Sequence, residues 1–361
     1  MSRAYYLAVF IPIAIALNLA DASPTAIFFT AALGIVPTAV LMSDATEQLA
    51  ARAGPGIGSL LNVTFGNAPE LIIAFVALTE GLQEVVKASL VGSVIGNSLL
   101  VLGAAMVVGG VKHGRQRFSR AAIERLAGLL LLSVVAMAIP ALVQIATGGD
   151  ALPGVDVKRH NYGSATELLS VAIAIGLGGA YVIFLARSVR NRSGIFSAPA
   201  EELDETHDVW SVRRSVILLA LAGVLVGVMS EVLVGSIEEA SHAVGLSPFF
   251  VGVFVVGIAG NAAEHWVAVV FAAKNKMDLA MNIAVGSSVQ IAMFLVPALV
   301  LLSFPFGPEP MALVFNGYEV VALILTGIVS VLVVRGGEST RGEGWLLLGL
   351  YVTLGVVFAL A

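Results

Sequence analysis

A short phrase occurs twice in this chain and carries the residues best suited to ion chemistry. Gly66-Asn67-Ala68-Pro69-Glu70 stands 194 residues ahead of Gly260-Asn261-Ala262-Ala263-Glu264, and both lie inside long apolar stretches. A carboxylate at the centre of a membrane-crossing helix costs roughly 2.5–3.5 kcal/mol on insertion scales, so such groups usually face a cavity or a partner. Each asparagine precedes its glutamate by three residues and shares its helix face. Gly66 and Gly260 come before them, and Pro69 removes the hydrogen bond that the Phe65 carbonyl would otherwise accept. The carboxylates of Glu70 and Glu264, the amide oxygens of Asn67 and Asn261 and freed backbone carbonyls thus form an all-oxygen donor set. Such a set suits Ca²⁺, a hard cation that takes about six to eight oxygens.

The charge balance suggests a cycle. Two carboxylates balance one divalent cation. Burial favours the neutral, protonated carboxyl, whereas a bound cation favours the ionised one. An empty site would take up protons and a loaded site would exclude them, which is a route to exchanging Ca²⁺ for H⁺. The second copy has Ala263 where the first has Pro69, so a helix break there rests on Gly260 alone. Close helix packing by the glycines would explain part of the pattern. The repeated polar spacing favours a shared site.

The elements that hold these residues must span a bilayer. Of 361 residues, 58% are hydrophobic and 12% charged, and the mean hydropathy is +0.97. Apolar runs long enough to cross a hydrocarbon core recur along the chain, and they are read as helices because backbone in lipid must be satisfied within its own segment. The expected fold is an all-α polytopic membrane protein with spans near 4–20, 25–43, 57–79, 84–110, 122–146, 165–188, 213–236, 247–273, 278–304, 310–334 and 344–360. Arg3, the first apolar run and Ala20-Asp21-Ala22 imitate a signal peptide, but the segment is read as a retained helix. There is no cysteine, which excludes disulfides and thiolate metal sites.

Loop charges give an orientation. With the N-terminus inside, sixteen Lys and Arg fall on the inner face and only Lys87, Lys158 and Arg159 outside. The eleven spans then divide into an N-terminal helix (1–22), a first five-helix repeat (23–189), a cytosolic linker (190–212) and a second five-helix repeat (213–361). The two repeats start on opposite sides and are expected to be inverted, with a site at their midplane interface. The linker holds the acidic run Glu201 to Asp208, read either as a solvated connector or as a cation-collecting surface.

With these features the chain resembles the Ca²⁺/H⁺ antiporter (cation/proton exchanger) family of the calcium/cation antiporter superfamily. The resemblance rests on the two Gly-Asn-Ala-x-Glu segments and on Gly92-Ser93-Val94-Ile95-Gly96-Asn97 and Gly286-Ser287-Ser288-Val289-Gln290, and it covers nearly the whole chain. It implies that Glu70 and Glu264 bind Ca²⁺ and protons in turn, with Asn67, Asn261 and the backbone of Gly66 and Gly260 beside them. It also implies Ser93, Ser287 and Gln290 as gate or neighbouring polar groups. Asn97 lies one turn after Ser93 and could join them. Its counterpart is Ile291, so this layer is expected to be asymmetric. The Na⁺/Ca²⁺ exchanger branch is similar in fold but usually has further acidic character where this chain has neutral Gln290, which favours protons as counter-ion.

Further acids have two readings each. Asp44 and Glu47 at one end of the second span, and Glu238 and Glu239 at the opposite end of the seventh, are either cation entrances or ordinary solvated helix ends. Glu231, inside the seventh span, is a candidate for a proton path or a buried group with a polar neighbour. His265 points about 100° away from Glu264 and is read as a packing or supporting group. A cation channel remains an alternative, with the paired acids as filter. A metalloenzyme is disfavoured because no nitrogen-rich metal motif is present. No cofactor, nucleic acid or obligate protein partner is expected, and a homo-oligomer is left open. The short termini and linker point to a prokaryotic cell membrane, with the C-terminus outside.

Overall fold

The computed structural model describes residues 3–147, 163–190 and 210–361. Lys158, Arg159, the acidic run 201–208 and most of the 190–212 linker lie outside the described residues. The helices are α1 (Ala4–Leu19), α2 (Pro24–Phe65), α3 (Ala68–Thr79), α4 (Gln83–His113), α5 (Arg120–Ala146) and α6 (Ser164–Arg190). They continue with α7 (Val212–Ala243), α8 (Pro248–Gly260), α9 (Ala262–Ala273), α10 (Met277–Phe306), α11 (Gly317–Val334) and α12 (Arg341–Ala359). Among the described residues, eight helices are long and apolar enough to cross a membrane, or nine if α8 and α9 count as one bent span.

Helix α2 is not a straight rod. A methyl group on Gly58 would lie 2.5 Å from the Ala50 carbonyl oxygen, whereas eight residues of straight helix rise about 12 Å. The helix therefore bends sharply between these residues, and α2 holds the expected span 25–43 together with the first part of 57–79, the rest of which is α3. Short π-helical turns interrupt α4 at Gly96–Val101, α8 at Gly252–Val256 and α10 at Ile291–Leu295. Such turns are often found at functional sites.

Two expectations need correction. The span placed at 310–334 begins only at Gly317, and residues 311–316 are buried without being helical. Pro308 and Pro310 lack the N–H groups a helix needs, and distant side chains satisfy the segment instead. The Met311 N–H donates to Ser303 Oγ (2.8 Å), the Leu313 N–H to Ser170 Oγ (2.9 Å), and Lys87 Nζ to the Val314 carbonyl (2.6 Å). Asn316 and Glu319 then form a capping box that starts α11. Lys87, counted among the outer loop charges, is instead buried within α4, where it pairs with Glu84 at 2.7 Å.

Two apolar clusters carry most of the packing among the described helices. Val94, Leu99, Leu102, Leu126, Leu130 and Val289 belong to a large core built on α4, α5 and α10. Ala14, Phe28, Ile35, Met229 and Leu233 join α1, α2 and α7 in a second. Polar ties brace α4 and its flanks. Ser98 meets Ser288 of α10 (2.8 Å), Gln83 Nε2 donates to the Glu309 carbonyl just beyond α10 (2.7 Å), and Gln116 Nε2, just beyond α4, donates to the Ala272 carbonyl of α9 (3.0 Å). Strand β1 (Gln116–Arg117) pairs antiparallel with β2 (Glu338–Ser339) and closes the same end.

Candidate cation site

Both copies of the motif break a helix. Asn67 separates α2 from α3 with φ −101° and ψ 20°, and Asn261 separates α8 from α9 with φ −91° and ψ 6°. The two backbones thus adopt nearly the same bridge-region conformation. The second break bends the chain by 62° without a proline, so a break at this motif does not require one. Pro69 sits in the first turn of α3, where its missing N–H costs nothing. Glu70 and Glu264 lie in the first turns of α3 and α9. There the helix dipole favours negative charge, while α2 and α8 end with carbonyls that lack intrahelical partners.

The motifs cross reciprocally. A methyl group on Gly260 would lie 3.1 Å from Glu70 Cγ, and one on Gly66 would lie 3.9 Å from Glu264 Oε1. Each carboxylate side chain therefore runs past the glycine of the other copy. Helix α4 approaches as closely. A Cβ on Gly92 would fall 2.0 Å from the Val253 carbonyl oxygen, and one on Gly257 would fall 2.9 Å from the Gly92 carbonyl carbon. This backbone contact, typical of small residues at membrane helix crossings, brings Ser93 against Asn261.

The polar groups divide into occupied and open ones. Asn261 Nδ2 donates to Ser93 Oγ (2.9 Å) and to the Gly257 carbonyl (2.8 Å), and its Oδ1 accepts from Asn97 Nδ2 (3.1 Å). Asn67 Nδ2 donates to Gln290 Oε1, and Ser287 is buried on α10. Three buried oxygens have no partner: Asn67 Oδ1, Glu70 Oε2 and Glu264 Oε2. Leaving a buried acceptor unpaired costs about 1–3 kcal/mol. Three such acceptors on two crossing motifs are suited to a cation or to protons. Among the described residues no group of three or more His, Asp or Glu side chains is poised to hold a metal, so neutral oxygens must complete any ligand set.

The amide layer is more symmetric than the sequence suggests. Ile291 aligns with Asn97, but Gln290 reaches the first motif from one residue earlier by its extra methylene, accepting from Asn67 where Asn97 donates to Asn261. Each motif asparagine thereby meets an amide from α4 or α10. Other candidates are placed differently. Asp44 is tied to the Tyr5 hydroxyl at 2.7 Å, and Glu47 follows it by one helical turn on α2. Glu231 and Glu239 are exposed on α7, Glu238 is half-buried, and no described hydrogen bond or ion pair ties any of the three to the central carboxylates. Tyr5, Ser98 and Ser288 were not singled out from sequence. Tyr5 bonds a residue 39 positions away, and lone serines in apolar helices look like ordinary back-bonding hydroxyls.

Comparison with known proteins agrees with this architecture. The family model described as sodium/calcium exchanger protein matches residues 23–190 and 214–360. A protein of Synechocystis sp. named Ca(2+)/H(+) antiporter is 39% identical over 372 residues, covering 98% of this chain and 95% of the relative. The Ca(2+)/H(+) antiporter ChaA of Bacillus subtilis is 40% identical over 342 residues, covering 93% of each. The solved structure of native YfkE superposes with a TM-score of 0.82 at 36% identity, covering 99% of this chain and all of that one. The chain is thus an integral membrane protein and belongs to the sodium/calcium exchanger protein family.

Proposed function

We propose that the chain is a secondary antiporter, not an enzyme, that exchanges Ca²⁺ for H⁺ by alternating access, with Glu70 and Glu264 as the shared binding groups. The observation that carries this reading is the reciprocal crossing of the two motifs, with one partnerless oxygen on each carboxylate and a third on Asn67. Relatives near 40% identity carry the name Ca(2+)/H(+) antiporter.

In the loaded state Ca²⁺ lies between the two carboxylates, whose charges it cancels. Asn67 Oδ1 and the end carbonyls of α2 and α8, at Gly66 and Gly260, supply neutral oxygens. When the cation leaves, two uncompensated charges in a low-dielectric crossing favour proton uptake. The protonated site is again neutral, so either cargo permits the same conformational change. Ser287 is a gate or neighbouring polar group, while Ser93, Asn97 and Gln290 orient the asparagines. Asp44 and Glu47 form the inner entrance. Glu238 and Glu239 mark the outer one, and Glu231 belongs to a proton path on α7.

The wider arrangement is an N-terminal helix (1–22) and two inverted five-helix repeats (23–189 and 213–361) joined by a cytosolic linker. What supports it is the recurrence of a broken span (α2 with α3, α8 with α9) followed by a span with a π-helical turn (α4, α10). Counting the bent pair once and adding the short apolar helices Ala4–Leu19 and Ala68–Thr79 to the eight long ones gives eleven crossings. Loop charges support a cytoplasmic N-terminus, and the short linker supports a prokaryotic cell membrane. The test is ⁴⁵Ca²⁺ uptake into inverted vesicles. A pH gradient should drive it, and Glu70→Gln or Glu264→Gln should abolish it. Equal uptake driven by a Na⁺ gradient at constant pH would contradict proton coupling.

A further inference from the structure

The two motif asparagines share a backbone conformation but not a bonding state. Asn67 keeps its Oδ1 unpartnered, while Asn261 is fully engaged, and a chain of hydrogen bonds explains why. The Gly257 carbonyl can only accept, so the group 2.8 Å away on Asn261 must be its NH₂. The Asn261 oxygen therefore faces Asn97, which must donate through Nδ2. That leaves Asn97 Oδ1 as the acceptor for His265 Nε2 at 3.1 Å, so His265 carries a proton on Nε2. One backbone carbonyl thus fixes the direction of three consecutive side chains, Asn261, Asn97 and His265. The first half has no such prop: the repeat offset sets Leu71 opposite His265 and Ile291 opposite Asn97.

We infer that Asn97 is a positioning residue that withholds the Asn261 oxygen from the cation in this state, and that His265 holds Asn97 in the orientation that does so. The N–H of Asn97 occupies one lone pair of Asn261 Oδ1 and sets partial positive charge beside it. The cation then meets an asymmetric ligand set, with Asn67 contributing and Asn261 held back. Weaker holding in this state favours release, so the asymmetry serves turnover, not affinity. Flipping of the Asn97 amide would exchange its donor for its acceptor face, and the Nε2–H of His265 opposes that flip.

This inference rests on the central-site reading above, and one experiment separates their failures. Ca²⁺ alone is titrated calorimetrically into the purified chain, and ⁴⁵Ca²⁺ uptake is measured in parallel. Asn97→Leu should tighten Ca²⁺ binding by up to about tenfold, the worth of one freed hydrogen bond, and lower the maximal uptake rate. A residue that only supports the fold would weaken binding when removed. Because Asn97→Leu strands the His265 donor, the double variant N97L/H265L removes both partners and should show the same tightening in a chain as thermally stable as the parent. His265→Gln, which retains a donor, should behave like the parent. Weaker or unchanged Ca²⁺ binding in both Asn97→Leu and the double variant would overturn the inference. Glu70→Gln is the control: if it binds Ca²⁺ as the parent does, the site reading itself fails, whatever Asn97 does.

Discussion

Three glycines near the crossing should respond to alanine in three different ways, because what a new methyl group meets differs in kind. At Gly260 it would lie 3.1 Å from Glu70 Cγ, 3.6 Å from Glu70 Cδ and 3.6 Å from Ile73 Cδ1. These are side-chain atoms, so the chain still folds, at an overpacking cost of about 1–3 kcal/mol. The strain falls on Glu70, which must withdraw by a few tenths of an ångström from the opposing motif. If about 1.4 kcal/mol of that cost appears only when the cation is bound, the KM for Ca²⁺ rises about tenfold. At Gly92 the same methyl would fall 2.0 Å from the Val253 carbonyl oxygen. That is backbone inside a helix crossing and cannot yield, so Gly92→Ala should fail to give a stable protein. At Gly96 nothing lies within 4 Å, and Gly96→Ala should be silent in both respects. Thermal unfolding in detergent and ⁴⁵Ca²⁺ uptake kinetics would rank the three. Gly260→Ala with the parental KM and stability would refute the crossing geometry, as would a Gly92→Ala protein that folds normally.

Other predictions follow from the same contacts. Lys87→Met leaves Glu84 and the Val314 carbonyl without their ammonium, and breaking a buried pair costs about 3–5 kcal/mol, so yield and thermal stability should fall sharply. Asn316→Ala removes the cap that starts α11 and should lower stability by about 1 kcal/mol, read as a downward shift in the unfolding midpoint. Proton competition for the two carboxylates should raise the KM for Ca²⁺ as pH falls, with a limiting slope no steeper than about two decades per pH unit, since ligands must be deprotonated to bind. Tyr5→Phe removes the donor to Asp44 and should alter the KM measured from the side where Glu47 lies, leaving thermal stability within about 0.5–1.5 kcal/mol of the parent.

The two crossing motifs were legible in the sequence because they violate a cost. Carboxylates at Glu70 and Glu264 stand where lipid-depth chemistry disfavours them, and their repetition with Asn67 and Asn261 marked both helix breaks before any coordinates. Helix boundaries at 120–146, 164–190 and 341–359 were legible for the opposite reason, since long apolar runs in lipid have few other choices. The segment 311–316 was not legible. Met311 to Phe315 reads as the first turn of a helix, and only Ser170, Ser303 and Lys87, far away in sequence, make an unhelical path affordable. The pairing of Asn67 with Gln290 was hidden for a related reason. A fixed repeat offset aligns backbone positions, but side-chain length decides which amide arrives, and Gln290 reaches from one residue away. The direction of the His265–Asn97–Asn261 chain depends on the Gly257 carbonyl, a backbone group that no residue pattern records.

The central claim is that the same two carboxylates hold Ca²⁺ and protons in turn, and counting protons during binding tests it most directly. Ca²⁺ is added to the purified chain in weakly buffered detergent near neutral pH while a pH indicator records release. The account predicts that protons leave as Ca²⁺ binds, that Glu70→Gln and Glu264→Gln each lose both signals, and that Glu231→Gln keeps Ca²⁺ binding. Ca²⁺ binding with no proton released, or parental binding in Glu70→Gln, would contradict it.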